Sequence, residues 1–197
     1  MTKEEFNQFW TSTYPNTIPI QHNFRHQYTD RWFRIHSLPE SQRYANTPEE
    51  WDILLSRHNQ IITDLLGNHS KVLLVTGEYN YNSPGDKHIV EAEAAFQAYT
   101  FTLLDNIDLN SLNPDEHEPG KVYRPAFTET VWSMTQHDAL LKELADGQLR
   151  AFFVSIEYQL IVAPYDGGID FILKDSQIKD AYKAKYQDWL SKLPSGL

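Results

Sequence analysis

One segment near residue 50 combines helical periodicity with a full set of end signals. Thr47 can serve as the N-cap, Pro48 suits the first helical position, and Glu50 completes a capping box. Gly67 is the residue type that most often follows a helix. Apolar residues recur every three to four positions between these ends, which predicts a helix with one buried face. The stripe consists of Trp51, Leu54, Leu55, His58, Ile61, Ile62, Leu65 and Leu66.

Three other segments show the same helical spacing. Residues 2–13 carry two aromatic side chains four positions apart, and residues 138–146 form a short amphipathic stretch. A last helix begins with Asp175 or Ser176 as its cap. Its apolar stripe is expected to lie across the preceding strands, and it consists of Ile178, Tyr182, Tyr186, Trp189, Leu190 and Leu193.

Strand patterns occupy the middle and the end of the chain. Alternating and continuous apolar runs predict four strands, over residues 30–37, 71–78, 96–104 and 127–134. Three closely connected runs predict an antiparallel meander, over residues 150–157, 159–164 and 169–174. Polar stretches indicate loops, at residues 79–87 and 105–125. The whole pattern predicts an α+β fold, in which helices, including the N- and C-terminal ones, cover a mostly antiparallel sheet that ends in the meander.

Composition restricts the class of protein. With 197 residues, of which 41% are hydrophobic and 13% aromatic, the chain can bury a core. We expect one globular domain over residues 1–197, or that domain with an N-terminal helical appendage over residues 1–28. The N-terminal residues lack the apolar run of a secretory signal, and no window approaches about 18 consecutive apolar residues. These observations favour a cytoplasmic protein with no membrane association.

Charge and motif content narrow the functions further. The chain has 17 basic and 27 acidic residues, a net charge of −10, which disfavours nucleic acid and is compatible with a basic protein partner. It has no cysteine, which excludes disulfides and thiolate chemistry. The sequence contains none of the patterns GxSxG, GxxxxGK[ST], GxGxxG or HExxH, so no cofactor is expected. Nothing in the sequence indicates the oligomeric state.

The stretch PYDGGID, residues 164–170, contains two aspartates that admit two interpretations. Asp166 and Asp170 could act together in acid–base chemistry. Asp-Gly and Gly-Gly are also the usual residues of two-residue hairpin turns, because glycine tolerates positive φ. This second interpretation makes Asp166 a turn residue and places Asp170 inside the following strand. A carboxylate buried there needs a partner.

A block of basic residues, RWFRIHSLPESQRY at 31–44, offers such a partner. Arg31, Arg34 and Arg43 form with His36 the densest positive cluster in the chain. Guanidinium groups bind carboxylate or phosphate in a bidentate manner, so the cluster could form the rim of an anion-binding site. The alternative is ion pairing with the acids of the protein itself. We expect Arg31 or Arg34 to pair with Asp170.

Two histidines four positions apart, His22 and His26, have the spacing of metal ligands on one helical face. No glutamate follows the first histidine, and no third ligand lies nearby in the sequence. The sequence therefore predicts no metal site.

The blocks at residues 31–66 and 150–193 carry a family resemblance. They resemble the two characteristic blocks of the bacterial domain of unknown function 3885 family. The resemblance implies a small, soluble, mostly bacterial protein in which the PYDGG hairpin precedes a closing helix. It also implies that the two blocks belong to one unit. It implies no activity and supplies no catalytic residues.

Besides a structural or oligomeric module with no separable activity, two classes of function are compatible with these features. The first is a protein-binding or accessory module without catalytic activity, in its most specific form an immunity-like protein that neutralises a basic partner. The second is an enzyme that acts on a small anionic substrate. Its site would combine the basic block with His36, Asp166 and Asp170.

Overall fold

One antiparallel sheet runs through the computed structural model, which describes residues 1–15, 17–81 and 85–192. Its eight strands in these ranges are β1 (Trp32–His36), β2 (Ser70–Tyr81), β3 (Thr102–Leu103), β4 (Ile107–Asp108), β5 (Lys121–Trp132), β6 (Ala151–Ser155), β7 (Leu160–Tyr165) and β8 (Gly168–Ile172). They follow the order β1-β8-β7-β6-β2-β5, and the short strands β3 and β4 both pair with β5. The predicted meander, β6 to β8, therefore lies between β1 and β2.

The helices are unevenly sized. Those in the described ranges are α1 (Lys3–Thr13), α2 (Phe24–Gln27), α3 (Pro48–Leu66), α4 (Ile89–Ala92), α5 (Leu109–Leu112), α6 (Asp138–Ala145) and α7 (Ser176–Lys185). The predicted α+β fold, with an antiparallel sheet, a C-terminal meander and helices at both ends of the chain, is confirmed. Among these helices, none has the length and apolar character needed to span a membrane.

Helices cover both faces of the sheet, so the molecule has three layers. On one face, Phe6 of α1 stacks on Phe127 of β5, and Phe24 of α2 meets Phe152 of β6 edge to face. We call this the α1 face. On the other face, which we call the α3 face, buried leucine and isoleucine side chains of α3 and α6 pack against β2, β6, β7 and β8. The alternation of side chains along each strand thus supplies two separate cores.

The ends of α3 follow the sequence signals. The Thr47 hydroxyl accepts a hydrogen bond from the Glu50 amide at 3.3 Å, and the Glu50 carboxylate accepts one from the Thr47 amide at 3.2 Å. Gly67 closes the helix with a φ of 79°, which is favourable only for glycine. The predicted boundaries of this helix are confirmed.

The strand predicted over residues 96–104 is wrong for most of its length. Residues 94–96 form a 3₁₀ turn, and only Thr102 and Leu103 pair with β5. Phe96 is fully buried, and Tyr99 and Phe101 pack beside it on the α3 face. Aromatic side chains in this stretch fill the core from an irregular segment, so their β propensity is a misleading signal.

The loops predicted over residues 79–87 and 105–125 are too long. β2 continues to Tyr81 and β5 begins at Lys121, and the two strands pair along their whole length, from Ser70 opposite Trp132 to Tyr81 opposite Lys121. Cross-strand contacts stabilise the end of the β2–β5 pair that the polar sequence predicts as a loop. One of them is the Tyr79–Tyr123 ring pair, with centroids 5.2 Å apart. The segment 105–125 also contains β4 and α5. Residues 82–84 lie outside the described ranges.

The expectation that the last apolar stripe lies on the meander is confirmed in part, because Tyr186 is buried in the same cluster as Leu160 and Phe171, and Tyr182 packs against that cluster. The Tyr182 hydroxyl donates to the Asp64 carbonyl oxygen at 2.9 Å, and the Tyr186 hydroxyl donates to the Asp64 carboxylate, so these side chains hold α7 to α3. Ile178 is exposed, and Leu193 lies outside the described residues.

Candidate functional site

A cleft of about 530 Å³ opens at one end of the sheet, where β6 begins and β7 ends. The segment 20–25 forms one wall, and the β7–β8 turn with part of β1 forms another. The segment 144–152, Arg43 and residues of β2 and β5 complete the lining. A cavity of this size falls in the range of small-molecule sites.

Arg34 and Asp170 meet in this cleft because β1 and β8 place them directly opposite each other. Arg34 Nε and Nη2 donate to the two carboxylate oxygens of Asp170 at 2.6 and 2.8 Å, the bidentate geometry of a strong charge-assisted pair. The indole N–H of Trp32 donates to the same carboxylate at 3.0 Å. The predicted contact between the basic block and the PYDGGID stretch is therefore present.

Both members of this pair are largely withdrawn from water. The Arg34 and Asp170 side chains are 11% and 10% exposed, and the guanidinium lies 4.4 Å from the centre of the Tyr165 ring. Burial alone would lower the pKa of Arg34, but the hydrogen bonds and charge of Asp170 hold it above its usual value. Arg34 thus stays ionised, and its two hydrogen bonds occupy both oxygens of the Asp170 carboxylate.

Asp166 occupies the two-residue turn between β7 and β8, where Tyr165 pairs with Gly168. Its carboxylate also accepts hydrogen bonds from the Arg43 guanidinium at 2.5 Å and from the Tyr44 hydroxyl at 3.0 Å. The Arg43 side chain is 63% exposed, so this second pair lies at the cleft rim. Asp166 is a turn residue, as the glycines indicate, and it also ties the turn to the segment that follows β1.

Two further arginines line the cleft without a carboxylate partner. Arg25 and Arg150 both belong to the lining, and no carboxylate of the described chain lies within ion-pair distance of either guanidinium. Arg25 Nε donates to the neighbouring His26 ring at 3.0 Å. Sequence reasoning did not identify these arginines as candidates, because an arginine left unpaired by tertiary structure has no local signature.

Buried hydrogen bonds fix the backbone on both sides of these arginines. The hydroxyl of the buried Thr76 donates to the Arg150 carbonyl oxygen at 2.6 Å. The Gln21 side-chain amide donates to the Pro164 carbonyl oxygen at 2.7 Å and so attaches the 20–25 segment to the end of β7. His22 belongs to the same segment. Partial burial, followed by the charges of Arg150 and Arg25, lowers the pKa of His22.

Aromatic and apolar side chains complete the lining beside these arginines. They include Ile20, Tyr79, Tyr123, Leu149 and Phe152. Tyr123 is 4% exposed, and the tip of its ring lies across Gly77 of β2. A Cβ atom at Gly77 would fall 2.5 Å from the Tyr123 ring, so the glycine is needed for the ring to lie there.

The substitution Gly77→Ala is therefore expected to displace the Tyr123 ring and to lower the free energy of unfolding by about 1–3 kcal/mol, the usual cost of overpacking. Urea unfolding followed by tryptophan fluorescence measures the change. Combining Gly77→Ala with Tyr123→Val, which shortens the opposing side chain, should recover part of the loss. Strictly additive effects of the two substitutions would contradict the contact.

Other residues that the sequence suggested lie away from the cleft. Arg31 donates to the Lys174 carbonyl oxygen at 3.3 Å and stacks on Tyr28, and it is not part of the lining. His36 also lies outside the lining, and burial together with the charge of Arg34 lowers its pKa. The structure thus gathers Arg34, Arg43, Asp166 and Asp170 at one cleft and leaves Arg31 and His36 apart.

The described residues contain no group of three histidine or acidic side chains close enough to hold a metal ion. His22 lies beside Tyr79, with ring centroids 6.2 Å apart, while His26 interacts with Arg25. The two histidines therefore have different surroundings.

The charge balance of the cleft is opposite to that of the whole chain. Its lining contains Arg25, Arg34, Arg43 and Arg150 against two aspartates, and each aspartate is already paired with an arginine. The chain as a whole carries a net charge of −10. The part of the lining that the structure describes includes no serine, threonine or cysteine. The arrangement can hold an anion but offers no free carboxylate and no side-chain nucleophile of these types.

Comparison with known proteins gives a family but no described relative. No curated protein and no solved structure matches the chain. Residues 20–194 of the 197 match the family described as domain of unknown function (DUF3885), a match that includes every segment of the cleft. The chain therefore belongs to the domain of unknown function 3885 family.

Proposed function

We propose that the protein is a binding module without catalytic activity, and that its cleft takes a small anionic ligand. The observation that carries the proposal is the pair of arginines, Arg25 and Arg150, that face the cleft with no carboxylate partner among the described residues. Of the seven arginines of the chain, the described structure pairs Arg34, Arg43 and Arg124 with a carboxylate, and Arg25 and Arg150 are the unpaired ones that line the cleft. Positive charge in a concave site concentrates anions there.

The state of the two aspartates supports binding rather than acid–base catalysis. A general base needs a carboxylate that is free to accept a proton from the substrate. Asp170 is held by Arg34 and Trp32, and Asp166 is held by Arg43 and Tyr44. His36, the general acid–base of the alternative enzyme hypothesis, does not line the cleft.

An amide NMR titration with benzoate and with inorganic phosphate tests the proposal. We expect shifts confined to residues 20–25, 147–152 and the β7–β8 turn. The substitution Arg150→Gln should weaken anion binding about tenfold or more, because a charge-assisted hydrogen bond contributes about 1.5–3 kcal/mol. Arg31→Gln removes the same charge outside the cleft and serves as the matched control. If no anion shifts these amides, or if both variants weaken binding equally, the proposal is wrong.

The enzyme alternative has a separate test. The chromogenic ester 4-nitrophenyl phosphate should remain intact when it is incubated with the wild-type protein, since both cleft aspartates are held in ion pairs and the described lining includes no serine, threonine or cysteine. Release of nitrophenolate that disappears in Arg150→Gln would overturn the non-catalytic part of the proposal and favour the enzyme. The same release from both proteins would indicate a contaminating phosphatase, and purification to constant activity removes it.

The net charge of −10 supports a second proposal, a basic protein partner. Such a partner would use the acidic surface rather than the cleft, whose described lining has an excess of positive charge. Arg150→Gln makes the chain more acidic, so it should leave affinity for a basic partner unchanged or raise it while it weakens anion binding. Weaker anion binding together with unchanged or higher affinity for a basic protein would therefore distinguish the two proposals.

A further inference from the structure

We infer that the anion is a phosphate monoester attached to an aromatic body, with the phosphate at Arg25 and Arg150 and the body against Tyr79 and Phe152. This inference rests on the proposed function and makes it specific. It follows from the charge of the cleft, from the hydrogen-bond donors that remain free in it, and from its volume.

The charge of the cleft matches a dianion. Four arginines and two aspartates line it, which leaves an excess of two positive charges when histidine is neutral. A phosphate monoester carries a charge of about −1.5 to −2 at neutral pH, whereas a carboxylate carries only one negative charge. A phosphate also offers three oxygens, enough to accept hydrogen bonds from two guanidinium groups at once.

The free donors share a neighbour, because the charges of both Arg150 and Arg25 act on His22. Arg34 and Arg43 already donate to Asp170 and Asp166. Arg150 has no carboxylate partner in the described ranges, and Arg25 contacts only a histidine ring by its Nε. The pKa of His22 is lowered, so this histidine is a neutral neighbour of the arginines near pH 7 and does not add to the charge. A phosphate is therefore placed beside Arg25 and Arg150.

The cleft is larger than a phosphate group alone would fill. About 530 Å³ is far larger than an inorganic anion, and the lining also contains aromatic side chains, among them Tyr79, Tyr123 and Phe152. Tyr79 is half-buried and forms an edge-to-face pair with Tyr123, which holds its ring in place. Fixed aromatic rings beside free guanidinium groups suit a flat apolar body that carries the phosphate.

Calorimetric titration at constant ionic strength with three probes tests this assignment. Phenyl phosphate combines the dianion and the ring, benzoate keeps the ring with a single charge, and methyl phosphate keeps the dianion without the ring. We expect phenyl phosphate to bind at least about tenfold more tightly than either of the others. Arg150→Gln should remove the advantage over benzoate, and Tyr79→Ala should remove the advantage over methyl phosphate.

The controls keep the outcomes separate. Lys183→Gln removes a positive charge from the exposed surface of α7 and should leave all three affinities unchanged. If Arg150→Gln does not fold, Arg25→Gln provides the same test from the other wall. Equal binding of benzoate and phenyl phosphate would overturn the phosphate assignment and leave the proposed anion site standing. Equal binding of methyl and phenyl phosphate would overturn the aromatic body, and no binding of any probe would overturn the proposed function as well.

Discussion

The substitution Asp170→Ala is expected to lower the free energy of unfolding by about 3–5 kcal/mol, the usual cost of leaving one member of a buried ion pair alone. The Arg34 side chain is 11% exposed, so its charge has little water to replace the lost carboxylate. The indole N–H of Trp32 loses its acceptor in the same step. The β1–β8 pairing joins the edge strand to the sheet here, so the damage should reach the cleft wall.

A double-mutant cycle separates the cost of an unpaired charge from the net contribution of the pair. Arg34→Met and Asp170→Leu together replace the pair by apolar side chains of similar size, and such replacements are often neutral or stabilising. We therefore expect the double variant to be clearly more stable than Arg34→Met or Asp170→Leu alone, with urea unfolding as the measurement.

The exposed pair of Arg43 and Asp166 offers the matched control for this cycle. Arg43→Met should cost only about 0–1 kcal/mol, because the Arg43 side chain is 63% exposed. A cost for Asp170→Ala no larger than that of Arg43→Met would show that burial of the Arg34–Asp170 pair has little energetic consequence.

The Arg34–Asp170 contact could be predicted because both residues belong to patterns that a sequence displays. The Gly-Gly turn fixes where β8 begins, and strand alternation then places Asp170 on the opposite face from Ile169 and Phe171. The same reasoning sets Arg34 apart from Phe33 and Ile35. A buried carboxylate needs a partner, and the basic block supplies one. The capping box of α3 could be predicted for the same reason, since its signals lie within a few residues of each other.

Arg25 and Arg150 could not be identified in this way. Their importance depends on which acids are not near them, and that depends on how segments far apart in sequence pack. Thr76, Gln21 and Pro164 hold the two segments in place through contacts that no local pattern indicates. The predicted strand at residues 96–104 fails for a related reason, because Phe96 is buried by tertiary packing rather than by a strand.

His58 is expected to make the protein sensitive to acid. It lies on the predicted apolar stripe of α3 and is fully buried, with Nε2 2.8 Å from the hydroxyl of Ser37 and no hydrogen-bond partner for Nδ1 among the described residues. Burial, and to a lesser extent the charge of Arg57, lowers its pKa from 6.5 to about 3. A serine–histidine pair enclosed in this way has no access to a substrate, so its effect falls on stability.

The direction of the pH dependence follows from proton uptake. Above pH 6.5 His58 is neutral in the folded and the unfolded chain, so it does not change the pH dependence. Below that pH the unfolded chain takes up a proton that the folded chain refuses, and the free energy of unfolding falls by about 1.4 kcal/mol for each pH unit. We expect a loss of about 2–3 kcal/mol between pH 6.5 and pH 4.5 from this residue.

Comparison with the double variant Ser37→Ala/His58→Leu isolates this contribution. Both proteins retain the other histidines and the carboxylates, so the difference between their unfolding free energies at pH 6.5 and pH 4.5 reports on His58. The variant should lose about 2–3 kcal/mol less than the wild type over this range. His69→Asn is the matched control, because the His69 ring lies 3.0 Å from the Ser133 hydroxyl in an exposed serine–histidine contact. If the double variant follows the wild-type curve, His58 takes up its proton in the folded state, and its enclosure does not govern acid stability.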